Sequence, residues 1–381
     1  MRPNGENFPV TNDNYGLTHD CGKVALTSLY NLPILYMRLL FILLMSLIPF
    51  PSFGQEDKAR ALQEEHLNIL FIGNSYSLDA SAYLPRLLVD MGVAENEYCV
   101  YCAVRAGASL DYWWKVYERG EEIENLYQMG GTKLADHAWT LAELLHEPWD
   151  VVVLQQASVL SNQLKSYRPY LQNMVDMVRR ESAKPDVTIA FQLTWSKYFS
   201  ADKGPYGTNG WRSIVEIVQQ ISDEVGLTTI IPSGTVIQNL RRTDLNSSLY
   251  LTRDGVHLAY GVAQYAVALA CYETLCRPLT GQSPLDAPPS DAVKALQSDH
   301  EGVIPISDDN YKVIYECVRA AMANPYELIS PDAFPSPQSA QRNAVPRQRS
   351  PIYDIHGRLL RYRAPGINIV GGKKVFTPAR H

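Results

Sequence analysis

The chain has 381 residues, 46% of them hydrophobic and 19% charged, with a formal net charge of −6. That composition suits a soluble globular protein with a sizeable core. The acidic balance gives no sign of the basic surface by which proteins displace counterions from nucleic acid, so no nucleic-acid partner is expected. The charge is uneven, because from Gln341 onward Asp354 is the sole acid among a cluster of Arg and Lys.

In chain order, the first readable pattern begins at Met37. "MRLLFILLMSLIPFPSFGQ" gives a positive Arg38, an apolar run from Leu39 to Ile48, then small residues at Ser52 and Gly54. This is the order of a secretory signal peptide. The run is about ten residues, against about 20 for a bilayer span, so no stable membrane span is expected. On this reading residues 1–36 are a mis-annotated start, residues 37–54 are a signal peptide, and the protein is secreted, periplasmic or at the cell surface. The other reading is an internal buried segment. No cysteine follows the apolar run, so a lipoprotein anchor is not indicated.

Short apolar runs rich in Val, Ile and Phe then recur at Asn68–Gly73, Tyr98–Val104, Asp150–Gln155, Val187–Leu193 and Thr228–Ile231. Helical patterns lie between several of them: Leu78–Val89, Arg168–Arg180, and Ser213–Val225 with Gly226 where a C-cap belongs. Ala259–Leu275 reads as a further, largely buried helix. Runs apolar on both faces, alternating with helices, predict an α/β protein with a mainly parallel sheet covered on both sides. Cys99 and Cys102 form a C-x-x-C inside an expected strand, which argues against a redox or zinc site. Cys271 and Cys276 read as buried thiols.

Beyond residue 325 the composition changes. Residues 326–350 are rich in Pro, Ser, Gln and Arg and read as a linker. Residues 351–381 hold alternating apolar segments around an Ala-Pro-Gly turn, a pattern for a short basic β-unit. The chemistry therefore falls within a domain spanning about 66–325.

"FIGNSYS" places Ser75 where the first strand hands over to a helix. Asn and Ser are preferred helix caps, so the local reading is capping. The alternative is a nucleophile beyond the carboxyl end of a parallel strand, where ligands bind in open α/β sheets. "LTRDGVHLAYG" supplies Asp254 and His257, three residues apart, close enough to meet on one helical turn. An Asp that accepts from Nδ1 leaves the imidazole Nε2 free to take a proton from a serine hydroxyl.

These blocks resemble the SGNH (GDSL-type) serine hydrolases, and more closely their DUF4886-like branch, over roughly Leu67–Leu275. The resemblance implies a three-layer, flavodoxin-like fold and a Ser75–His257–Asp254 triad. It also implies an oxyanion hole built from the Ser75 and Gly107 backbone N–H groups, Gly107 standing in "RAGAS". Two departures stand out. Asn74 precedes the serine where the common signature has Asp. The strand "WDVVVL" ends in "QQAS", so Gln155 or Gln156 would offer the amide that an Asn supplies elsewhere.

The resemblance implies a secreted serine esterase working through an acyl-enzyme, with no metal or organic cofactor, a carbohydrate O-acetylesterase being the expected type. Acylated small molecules or glycans are the expected substrates. Asn74, Trp113 and Trp195 are weak candidates for substrate contact. Aromatic residues in "DYWWK" and "LTWSKYF" either stack on sugars or fill core. The alternative from another class is a catalytically silent glycan-binding module that keeps the cleft. A phosphate-binding flavodoxin-like protein finds little support, since the turn after the first strand is not glycine-rich. The tail resembles the end of C-terminal sorting segments on secreted Bacteroidetes proteins, which would make secretion machinery a partner; a plain basic hairpin is the alternative.

Overall fold

Alternating burial organises the sheet. In β1 (Leu67–Gly73), Ile69 and Phe71 face one core while Leu70 and Ile72 face the other, and all four are fully buried. β2 (Tyr98–Val104), β4 (Val151–Leu154) and β5 (Thr188–Gln192) follow the same rule. With two apolar faces, such strands are stable only when helices cover both sides. The computed structural model describes Gln63, residues 66–197, 209–247 and 249–329, and four short strands beyond. The leader expected at 37–54, the stretch before it, most of the linker, and Tyr198 and Phe199 lie outside the described residues.

The main helices are α1 (Ser75–Ser81), α2 (Leu84–Asp90), α3 (Leu110–Glu118), α4 (Leu141–Leu145), α5 (Tyr170–Glu181), α6 (Asn209–Val225), α7 (Ser233–Arg241), α8 (Val262–Cys271) and α9 (Tyr311–Ala323), with short helical turns at Arg277–Thr280 and Asp291–Ala295. Residues of α1, α2, α7, α8 and α9 share one core with Phe71 and Val153. Residues of α3, α4, α5 and α6 share the other with Leu70 and Val152. The result is a three-layer α/β sandwich.

The sheet order is β3-β2-β1-β4-β5-β6, with β3 at Leu126–Gly131 and β6 at Thr229–Ile231. All pairings are parallel except β2 with β3. Setting β3 aside, the parallel strands run in flavodoxin-like order, and the order reverses between β1 and β4. That reversal opens a crevice beyond the carboxyl ends of β1 and β4, and Ser75 and Gln155 lie there.

Several elements depart from the sequence-based expectation, α3 and α9 among them. β3 was not expected; it is a half-exposed edge strand without the doubly apolar pattern. The Leu78–Val89 segment is two helices, because Pro85 suits the first turn of α2 and cannot continue α1. α7 carries a short apolar stripe, Val236, Ile237 and Leu240, but its Ser, Thr, Gln, Asn and Arg are buried as well, which burial of a single face would not predict. The Ala259–Leu275 segment is helical only from Val262, and its end, Tyr272–Cys276, is a π-turn. The five cysteines of this domain are buried free thiols, and burial pushes Cys99, Cys102, Cys271, Cys276 and Cys317 up, away from reactive thiolates.

A separate antiparallel sheet in order β10-β9-β7-β8 is formed by β7 (Ile352–Asp354), β8 (Leu359–Leu360), β9 (Gly366–Val370) and β10 (Lys373–Thr377). Among the described residues, no helix is long and apolar enough to cross a membrane.

Candidate active site

The turn after β1 is built around Asn74. Its backbone is extended, and its side-chain oxygen caps α1 by accepting from Tyr76 N at 3.0 Å. The same oxygen accepts from Gln155 Nε2 at 2.7 Å, while Nδ2 donates to the Ala108 carbonyl at 2.9 Å. Asn74 thus joins three chain segments: the Ser75 turn, the loop after β4 and the loop after β2. It is buried, with its oxygen bonded twice and one amide hydrogen given to Ala108, a bracing role rather than an exposed face for substrate. An Asp in its place would set an oxygen against the Ala108 carbonyl, where no donor is available. Asn74→Asp is expected to cost about 1–3 kcal/mol, read from the shift in urea midpoint.

Gly73 permits this packing. A Cβ there would lie 2.5 Å from Ser77 Oγ and 2.7 Å from Gln155 Cγ. Gly73→Ala must therefore displace Gln155 and loosen Asn74, at an expected cost of about 1–3 kcal/mol by thermal melting.

Ser75 is the first residue of α1 and half-buried. Its Oγ lies 2.8 Å from His257 Nε2, and His257 Nδ1 lies 2.6 Å from Asp254 Oδ2. Asp254 Oδ1 also accepts from the backbone N–H groups of Val256 (2.9 Å) and His257 (2.8 Å). With the Nδ1 proton donated to the carboxylate, Nε2 is left to accept from the serine hydroxyl. Burial works against charge on Asp254, yet the bonds from the His257 ring and the two N–H groups outweigh it and hold the carboxyl at about 2.

Asp254 and His257 do not stand on a helix, as their spacing allowed. They occupy the tip of a narrow loop closed by Arg253 N→His257 O (2.9 Å) and Ala259 N→Leu251 O (2.8 Å). Just upstream, Tyr250 and Leu251 hold left-handed backbone angles, φ 50° and 62°. Non-glycine residues stay in that region only when their surroundings hold them there. Here Arg241 Nε donates to Tyr250 O, and Leu251 N donates to Ser247 Oγ.

Gly107 sits in an exposed turn with φ +68°, where a side chain would be strained. The Asn74–Ala108 bond and Arg105 N→Gly73 O (3.4 Å) tie this turn to the Ser75 turn. The N–H groups of Gly107 and Ser75 have no hydrogen-bond partner among the described residues.

The two glutamines differ. Gln156 Nε2 donates to both the carbonyl and the hydroxyl of Ser166, and its Oε1 accepts from Leu110 N and Ala157 N. Both its amide hydrogens are spent on loops, so Gln156 drops out as an oxyanion donor. Gln155 gives one hydrogen to Asn74 and accepts from Ser77 Oγ, which leaves its second hydrogen uncommitted among the described residues.

Both tryptophans are also corrected. Trp113, 1% exposed, donates its indole N–H to Gly73 O at 2.9 Å. Trp195, fully buried, donates to Val256 O at 2.9 Å and stacks on Tyr76 with ring centroids 4.0 Å apart. Neither ring is available to a sugar; each braces a segment of the site from beneath.

One group was missed from the sequence. Asp79, one helical turn along α1 from Ser75, is 2% exposed. It accepts from Arg253 Nη1 (2.8 Å), Leu258 N (2.8 Å) and Gln264 Nε2 (2.7 Å). Burial raises its carboxyl above the ordinary value, against the pull of those three donors. A lone acid one turn after Ser75, with an Arg directly before Asp254, was the available signal. Among the described residues, no group of three or more His, Cys, Asp or Glu side chains is placed to hold a metal.

An α/β sandwich with these groups at its topological switch point is the architecture that the sequence blocks resemble. Residues 68–292 match the family described as "Domain of unknown function (DUF4886)". The chain belongs to this family. A DUF4886 family protein from Bacteroides uniformis is similar in structure at 24% identity and a TM-score of 0.52, covering 69% of this chain and 97% of that one. A Clostridium thermocellum family 3 carbohydrate esterase aligns at 15% identity and a TM-score of 0.34, over 57% and 98% of the two chains. A GDSL-like lipase from Bacteroides thetaiotaomicron aligns at 11% and 0.32, over 57% and 88%. No curated protein matches the sequence.

Proposed function

We propose that this chain is an SGNH-type acyl-ester hydrolase with Ser75 as nucleophile, His257 as general base and Asp254 as the group that orients and stabilises the imidazole. The observation that carries the reading is the continuous relay Ser75 Oγ–His257 Nε2–Nδ1–Asp254 Oδ2, at 2.8 Å and 2.6 Å.

The mechanism follows from these contacts. His257 Nε2 takes the hydroxyl proton as Ser75 Oγ attacks the ester carbonyl, and Asp254 stabilises the imidazolium. The Ser75 and Gly107 N–H groups receive the oxyanion, with the second amide hydrogen of Gln155 as a third donor. His257 returns the proton to the leaving alcohol, and an acyl-Ser75 ester remains. Water, deprotonated by His257, then hydrolyses it.

Acylated carbohydrate and export to the periplasm, cell surface or medium remain part of the proposal. They rest on the leader pattern from Met37, because the buried indoles of Trp113 and Trp195 lend sugar binding no support.

The test is a fluorophosphonate probe applied to the full chain. Ser75 is expected to label in the wild type, and Ser75→Ala is expected not to. Folded wild-type protein that resists the probe overturns the hydrolase reading in favour of a silent binding module.

A further inference from the structure

We propose that Asp79 is the positioning residue that holds the acid–base loop against the nucleophile, an inference that rests on the hydrolase reading for its kinetic consequences. Every hydrogen bond found for its carboxylate comes from the segment 253–264: Arg253 Nη1, Leu258 N and Gln264 Nε2. Its backbone belongs to α1, whose first residue is Ser75. A closed circuit results. Ser75 connects through one helical turn to Asp79, Asp79 through Leu258 N to the residue after His257, and His257 back to Ser75 Oγ. The relay distance is thus set by a buried carboxylate outside the relay.

The loop needs such an anchor. Its tip is more exposed than its base, with the Asp254 side chain 50% accessible, and the chain enters it through left-handed Tyr250 and Leu251. Arg253 serves both sides: the same Nη1 that meets Asp79 also donates to Leu258 O, and the guanidinium lies 4.8 Å from the centre of the Tyr260 ring. A carboxylate suits the position, since three donors converge on two oxygens. An amide of the same size would turn one acceptor into a donor facing them.

The experiment compares Asp79→Asn, Arg253→Met and Arg253→Lys with wild type in the full chain, by p-nitrophenyl acetate kinetics, melting temperature and proton NMR. The NMR signal is the His257 Nδ1–H bonded to Asp254, assigned by its loss in His257→Ala. Misplacement of a reacting group by about 1 Å can cost 10²-fold. In folded Asp79→Asn, kcat is therefore expected to fall by about 10–10²-fold with KM unchanged, and the Nδ1–H signal to broaden or vanish. Arg253→Met is expected to move the same way by a smaller factor, and Arg253→Lys to restore most of kcat and the signal. Unchanged kcat and an unchanged signal in folded Asp79→Asn and Arg253→Met overturn the proposal, as does a rise in KM alone. The NMR arm separates the two readings. If wild type hydrolyses nothing while the signal still depends on Asp79, positioning stands and the hydrolase reading falls. If Asp79→Asn does not fold, the half-exposed Arg253 site decides.

Discussion

Ser75→Ala is expected to lower kcat on p-nitrophenyl acetate by about 10⁶-fold while the protein remains folded. The chemical reason is that no neighbour can replace the hydroxyl. Ser77 Oγ is engaged with Gln155 Oε1 beneath the turn, and the Ser81 hydroxyl bonds back to Ser77 O within α1. The structural reason is that Ser75 Oγ contributes little to folding. Its hydrogen bond is to His257, in a half-exposed site where water can take the vacated place. Alanine is also a good helix former at the first position of α1. Parallel kinetics and melting curves check both halves of the statement, and near-wild-type turnover in the variant would remove Ser75 from the mechanism.

Asp254→Asn is expected to cost about 10⁴-fold in kcat, through the tautomer rather than through the fold. The amide oxygen can still accept from Val256 N and His257 N. The other end then presents N–H to His257 Nδ1, so Nδ1 becomes the acceptor and the ring proton moves to Nε2. A protonated Nε2 cannot take the serine proton. The same carboxyl has a pH signature. Its folded value, about 2, lies below the ordinary 3.8. Ionised Asp254 therefore contributes stability that is fully present above about pH 4, and that contribution fades as pH falls through the folded value. Acid unfolding of Asp254→Asn is accordingly expected to lack this component. In the wild type, any acid limb of kcat/KM above about pH 4 belongs to other groups, because Asp254 is still charged there. A kcat/KM profile set beside acid-unfolding curves for both proteins tests this.

Much of this was legible in the sequence, for identifiable reasons. β1, β2, β4, β5 and β6 are short doubly apolar runs, which only a covered parallel sheet accommodates. Ser75, Asp254 and His257 were findable because each lies at a punctuation point, after the first strand or before a long buried helix. What the sequence hid depends on three-dimensional partners. Trp113 and Trp195 look alike in composition to sugar platforms, and only their bonds to Gly73 O and Val256 O show them to be braces. Gln155 and Gln156 are adjacent and chemically identical, yet alternation sends one under the Ser75 turn and the other to Ser166. The weight of Asp79 is invisible until the loop 174 residues later arrives beside it.

The span between the proposed nucleophile and its proposed base has a biosynthetic consequence. Ser75 is spun out with the first strand, but His257 lies 182 residues downstream, after the last strand of the sheet. A nascent chain that has not yet reached residue 257 contains only one of the two. On the proposed hydrolase reading, activity can arise only after the last strand of the sheet has been made, which makes turnover a reporter of finished synthesis.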